Sequence, residues 1–200
     1  MANTKTKPCL KIIALGDSQY VLGRFGNYAP TIGPDFRTKE LLIDDVVVCL
    51  QVWDTAGQER FDSLGRAFYR GTNVCVLVYD ITNPRSLERL DHWKRMYEES
   101  MPAQAEVDRT VFGVFANKMD MEGQRKVSQI EAETWCRENG DMPHFSVSAK
   151  DGDGVEQAFN TLAKKAKRIL DEWNQQQPVE DRTYLSDVNA DDTGEQPCQC

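Results

Sequence analysis

A chain of 200 residues, 40% of them hydrophobic, is long enough for one domain with a real core. Its 32 acidic residues outnumber 24 basic ones and leave a net charge of -8, which disfavours a nucleic-acid binder, because such a protein needs a basic face to displace counterions. The longest apolar stretch, Val74 to Tyr79, is far too short to span a bilayer.

In chain order, Leu10–Leu15 reads as a buried strand. Gly16-Asp17-Ser18 follows it instead of a cleavage site, so no signal peptide is expected and the protein is expected on the cytosolic side. Asp44-Asp45 joins two extended runs as a hairpin turn does. The second of these runs, Val46–Trp53, is another buried strand, as are Val74–Tyr79 and Val111–Ala116. Asn83-Pro84 reads as an N-cap followed by proline at the first helical position, and predicts a helix through roughly Met101. Ser128 and Glu131 form a capping box ahead of a helix through Trp135. His144–Ser146 is a short extended segment, and Val155, Phe159, Leu162, Ala166, Ile169 and Trp173 recur at helical spacing. Strands alternating with helices predict an α/β fold with an open, mostly parallel sheet covered on both faces. Ligands of such sheets bind at the carboxyl ends of the strands. From Gln175 onward the chain is rich in Gln, Asp and Glu, and its few apolar residues show no period; it is expected to be disordered. Six cysteines include no C-x-x-C pair, which argues against zinc, and the two histidines, His92 and His144, read as structural.

The chemistry sits in the segments after the strands. Asn117-Lys118-Met119-Asp120 follows one of them. A carboxylate there can accept two hydrogen bonds from the ring N–H and amino group of guanine; adenine has no ring N–H at that place, so the same group rejects it. The Lys118 stem can cover one face of the base. Alone, the tetrapeptide is also a plausible solvated turn. It gains weight from Ser148-Ala149-Lys150, where the Ala149 backbone N–H can donate to the guanine carbonyl oxygen. Asp54-Thr55-Ala56-Gly57-Gln58 follows another strand. An acidic residue at a strand end can hold Mg²⁺, usually through water. Gly57 lets its backbone N–H approach a terminal phosphate, and Gln58 can orient an attacking water. The bland reading of this segment is a capped loop. Thr31 can close over Mg²⁺ and the last phosphate, although by itself it is an ordinary loop hydroxyl.

The order Gly16-Asp17-Ser18, Thr31, Asp54–Gln58, Asn117–Asp120, Ser148–Lys150 resembles that of the Ras-like small GTPases. Trp53 to Phe61, Ile32–Phe36 and the terminal Cys198-Gln199-Cys200 narrow the resemblance to the Rab family. Thr38-Lys39-Glu40, Ser63-Leu64-Gly65, Ala67 to Gly71 and Val155 to Phe159 are similar to its late-endosomal and lysosomal (vacuolar) branch. The resemblance implies a Ras-like P-loop NTPase fold with a six-stranded sheet, a GTPase domain over 9–174 and a hypervariable tail over 175–200. It implies GTP or GDP as ligand with Mg²⁺ held through Thr31 and Asp54, and a nucleotide site drawn from Gly16, Asp17, Ser18, Thr31, Gly57, Asn117, Lys118, Asp120, Ser148, Ala149 and Lys150. Gln58 would serve hydrolysis. Phe36, Trp53 and Phe68 would form an aromatic surface read by effectors, or else ordinary packing. Exchange factors, GTPase-activating proteins and a prenylation escort would be partners, and no nucleic acid would be. Cys198 and Cys200 would be prenylated and hold the protein on the cytoplasmic face of late endosomes, lysosomes or the vacuole, with a cytosolic pool.

One departure matters. The family's phosphate loop, G-x-x-x-x-G-K-(S/T), cradles phosphates with its amides, neutralises them with its Lys and binds Mg²⁺ with its hydroxyl. Here Gly16-Asp17-Ser18 runs straight into Gln19-Tyr20-Val21, which in close relatives lies further on, inside the first helix; about nine residues are missing, the Gly-Lys-Thr among them. Gly23-Arg24-Phe25 is a poor substitute, with Arg for Lys and Phe for the hydroxyl residue. Charge-assisted hydrogen bonds contribute roughly 1.5–3 kcal/mol each. Losing about three removes on the order of 6 kcal/mol, or about 10⁴ in affinity. The first helix is left with Gln19 to Phe25, roughly two turns. A non-cycling Rab-like binding module and an incomplete product therefore stand as alternatives to a working switch.

Overall fold

The computed structural model describes residues 7–16, 35–54 and 69–176, with the backbone alone at 35, 36 and 54. Six strands form one sheet: β1 (Cys9–Gly16), β2 (Asp35–Ile43), β3 (Val46–Asp54), β4 (Val74–Asp80), β5 (Val111–Asn117) and β6 (His144–Ser146). Their order is β2-β3-β1-β4-β5-β6, and β2 alone runs antiparallel to its neighbour. The helices are α1 (Pro84–Glu88), α2 (Leu90–Ser100), α3 (Gln104–Arg109), α4 (Gln129–Glu138) and α5 (Val155–Gln176). The expected mostly parallel sheet is therefore present, with each proposed strand extended by a residue or two at its ends.

Every residue of β4 is buried, as a continuous apolar run requires when both sheet faces are covered. On one face α5 packs Phe159, Leu162 and Ala166 onto Leu10, Ile12 and Val76. On the other, α1 and α2 bring Leu87, Leu90 and Trp93, and α4 brings Ala132 and Cys136, against Ile13, Leu77 and Tyr79. The edge strand β2 alternates instead: Leu41 and Ile43 face the α5 side, and Leu42 is 67% exposed. Asp44 and Asp45 make the expected turn, both at positive φ (49° and 61°), the conformation a two-residue hairpin demands and Asp tolerates better than most residues.

The helix expected from Pro84 through Met101 is divided. Arg89, at φ -77° and ψ -7°, separates α1 from α2. Asn83 occupies the N-cap position, but its side chain makes no cap bond. Ser86 ties that end down instead, its hydroxyl donating to Asn83 O at 2.6 Å and accepting the Asp80 N–H at 2.9 Å. The Ser128 hydroxyl accepts the Glu131 N–H at 3.2 Å, as the capping box requires, and α4 runs three residues beyond Trp135. Two short elements escaped the sequence reading: α3, and a 3₁₀ turn over Met119–Gln124. Neither is long enough to display a period. The first helix, expected to be truncated, and the tail beyond Gln176 lie outside the described residues.

Candidate functional site

The carboxyl ends of the parallel strands lie along one edge of the sheet. Gly16 ends β1, and a Cβ built on it would lie 2.1 Å from the carbonyl oxygen of Val78 in β4, so the two strands close on each other there. Asp54, Asp80 and Asn117 end β3, β4 and β5. Ser148 follows β6. The strand order reverses direction around β1, where open α/β sheets place their ligands.

Asn117 organises this edge. Only 2% exposed, its side-chain Oδ1 accepts the Lys118 N–H at 2.8 Å and the Ala149 N–H at 3.0 Å. One amide oxygen thus joins the loop after β5 to the loop after β6. Backbone bonds reinforce the seam: Met119 N donates to Val147 O, and Val147 N to Ala116 O. Lys118 adopts the left-handed conformation (φ 71°), which sends its side chain back toward β4, where Nζ lies 2.6 Å from Asp80 Oδ2. The other Asp80 oxygen accepts the backbone N–H and the hydroxyl of Thr82, at 2.8 and 2.7 Å. Burial works to raise the Asp80 carboxyl, but the hydrogen bonds from Lys118 and Thr82 outweigh it and hold the group below the usual carboxylate range.

Asp120 is placed by the loop after β6. The Ser148 hydroxyl, on a residue 1% exposed, lies 3.0 Å from Asp120 Oδ1, and Lys150 Nζ lies 3.4 Å from Oδ2. Partial burial pushes this carboxyl up; Ser148 and Lys150 outweigh it and keep it below its ordinary value. Ser148 is fixed in turn by the Asp151 N–H, which donates to its oxygen at 3.2 Å. Gly154, at φ +71°, lets α5 start against β6: a Cβ there would lie 2.5 Å from Ser146 O. The result is a pocket edge carrying an ionised carboxylate, a lysine stem held in place and a backbone N–H.

Of the residues singled out from sequence, Gly16, Asn117, Lys118, Asp120, Ser148, Ala149 and Lys150 are brought to this edge. The Ala149 N–H, expected to face a base carbonyl, donates to Asn117 Oδ1, so an incoming carbonyl would have to share that donor. Asp17, Ser18, Thr31, Gly57, Gln58, Phe68, Cys198 and Cys200 lie outside the described residues, as do the side chains of Phe36 and Asp54. The Phe36 backbone pairs with Trp53, and Trp53 is half-buried with Lys11 Nζ 5.4 Å from its ring centroid. Sequence reasoning passed over Asp80. Its signal was available: like Asp54, it is an acidic residue at the end of an apolar strand.

The sequence pattern of the Ras family matches residues 15–168. The chain is similar to Ras-related protein Rab-7a of Dictyostelium discoideum, 48% identical over 178 residues, which take in 84% of this chain and 87% of that protein. It is also similar to Ras-related protein Rab7 of Drosophila melanogaster, 43% identical over 207 residues, with 98% of this chain and 99% of that one covered. The Ypt/Rab-type GTPase ypt7 of Schizosaccharomyces pombe is 46% identical over 179 residues, 84% and 86% of the two chains. The 207 positions aligned with the Drosophila protein exceed the 200 residues of this chain, so part of that alignment sets gaps against it.

Proposed function

The chain belongs to the Ras family, in the Rab branch that serves late endosomes, lysosomes and vacuoles, and on that premise we propose that it is a guanine-nucleotide switch whose base pocket is built from the loops after β5 and β6. The observation that carries the reading is the Asn117 amide oxygen, which binds the Lys118 and Ala149 N–H groups together and so sets Asp120 beside the Ser148 loop. Asp120, ionised, accepts the ring N–H and amino group of guanine. Adenine would leave it facing a group with no hydrogen to give, and an unmet buried partner makes such discrimination steep. Lys118, held by Asp80, lays its stem along the base. The family binds GTP and GDP with Mg²⁺, and the ion, when bound, neutralises phosphate charge; Thr31 and Asp54 would hold it and Gln58 would orient water. Residues 9–174 form the GTPase domain, and 175–200 the tail whose Cys198 and Cys200 carry lipid. Effectors, exchange factors and GTPase-activating proteins are the partners, with Phe36, Trp53 and Phe68 facing effectors.

The phosphate grip is the weak part, since the sequence passes from Gly16-Asp17-Ser18 to Gln19 without the Gly-Lys-Thr. The alternative of a non-cycling module is not favoured by relatives that align over most of their own length. Titration calorimetry of the full chain with Mg²⁺ and GTP, GDP or ATP tests the reading. Guanine nucleotides are expected to bind above ATP, with GTP weaker than micromolar. Equal binding of ATP would overturn the base pocket; sub-micromolar GTP would overturn the weak phosphate grip.

A further inference from the structure

The sheet sets two thiols side by side. Cys9 opens β1, Cys49 lies within β3, and the parallel pairing makes them register partners. Strand alternation puts both on one face: Leu10, Val48 and Leu50 enter the core beneath α5, while Cys9 and Cys49 are half-buried on the other side. The Cys49 N–H donates to Pro8 O at 2.9 Å, which pins the backbones at that level. Cys75 and Cys136, on the same face of the sheet, are instead buried within its core.

We propose that Cys9 and Cys49 are a thiol-oxidation site that closes to an intramolecular disulfide by exchange with a small-molecule disulfide such as oxidised glutathione. Neighbouring strands lie about 4.8 Å apart. That spacing falls within the 4.4–6.8 Å Cα separation of disulfides, but side chains projecting in parallel start wider apart at Cβ than the roughly 3.5–4.5 Å the bridge prefers. Closure therefore stores strain, and a strained, accessible disulfide is of the labile, reversible kind, not a permanent structural one.

The two sulfurs have different parts. Burial, and after it the neighbouring Cys49 side chain, push the Cys9 thiol up to about 12, which leaves Cys9 the second sulfur to act. The Cys49 thiolate attacks one sulfur of the oxidised glutathione; its S–S bond breaks and one glutathione thiolate leaves, taking up the proton Cys49 gave to solvent. The Cys9 sulfur then loses its proton, attacks the Cys49 sulfur and expels the second glutathione, which takes that proton. Two protein thiols are oxidised, one disulfide is reduced, and two glutathione thiols result. The bridge staples β1 to β3 across a loop of about 40 residues, which constrains the unfolded chain. It also fixes the strand whose Trp53 lies on the same face, two alternations further along.

The test is a titration of the full chain with oxidised glutathione, read by non-reducing peptide mapping and thermal unfolding. The expected product is one linked peptide pair joining Cys9 to Cys49, short of two hydrogens. It should come with an upward shift in the unfolding midpoint that dithiothreitol reverses and that Cys9→Ser and Cys49→Ser each abolish. Mapping separates this bridge from any between Cys198 and Cys200, and it needs no substitution, so it decides the matter even where a variant folds poorly. Recovery of Cys9 and Cys49 as free thiols while the tail cysteines are oxidised, as two separate glutathione adducts, or as bridges to the tail alone would each overturn the proposal.

Discussion

At the scale of single residues, the pocket edge depends on two buried polar side chains, Asn117 and Ser148, that hold the more exposed Lys118 and Asp120 in place. Ser148 and Lys150 hold Asp120 ionised, the state the proposed base pocket needs. Asp120→Asn exchanges an acceptor for an amide that can donate, and xanthine carries a carbonyl where guanine carries its amino group. The variant should therefore bind GTP more weakly and XTP more strongly, as displacement of a fluorescent guanine nucleotide would register; an unchanged preference would remove Asp120 from the base pocket. His144 carries a separate prediction. Its Nε2 lies 3.1 Å from the Tyr79 hydroxyl, with the rings stacked at 6.0 Å between centroids. Burial lowers the His144 pKa below its ordinary 6.5, with Arg125 acting the same way and Glu133 opposing. The unfolded chain then binds the proton more readily than the folded one. The stability this histidine supports is present above about pH 6.5 and is lost as pH falls through its lower folded value. Urea unfolding between pH 7 and 5 should show that decline, and His144→Gln, which keeps a polar partner for Tyr79, should flatten it. Asp80 and Asp120 do not confuse this window, because their lowered values place their own losses below the ordinary carboxylate value of 3.8.

At the scale of elements, the docking of α5 rests on a missing side chain. A Cβ on Gly113 of β5 would lie 2.7 Å from Leu162 Cδ1, so the helix approaches the strand as closely as glycine permits. Gly113→Ala should destabilise by about 1–3 kcal/mol through overpacking. Leu162→Ala, emptying a fully buried site, should destabilise by about 2–5 kcal/mol. The pair together should cost less than the sum of the two, because each relieves the other; a double-mutant cycle from urea melts would measure the coupling, and strict additivity would contradict the close approach. The same scale separates what sequence could and could not reveal. The Asp44-Asp45 turn was legible because two short polar residues between apolar runs admit few conformations. The division at Arg89 was not, since Arg favours helix and nothing local marks the stop.

At the scale of the whole molecule, the proposed lipid anchor of the tail can be tested together with the domain. From Gln175 onward Arg182 is the only basic residue, so no polybasic patch can add to a lipid anchor. One lipid chain binds a membrane marginally, and stable anchoring takes two signals. With the phosphate loop restored, so that the prenylation escort meets an intact GTPase face, the protein should fractionate with membranes. Cys198→Ser or Cys200→Ser alone should then shift much of it to the soluble fraction. Mass spectrometry finding both cysteines unmodified on a membrane-bound form would sink the two-lipid anchor.

The sequence by itself determined the architecture and the residues that stand at the strand ends. Apolar runs long enough to be buried on both faces have few stable arrangements other than a covered parallel sheet, and the polar tetrapeptides after those runs fall at strand ends whatever the details of packing. Only the tertiary structure decided which groups meet. Asp80 lies 38 residues before Lys118, and Cys9 lies 40 before Cys49, yet the first pair forms an ion pair and the second are partners in register. No local pattern encodes those meetings, because they follow from strand order and register, which the packing of the two cores fixes jointly across the whole sheet.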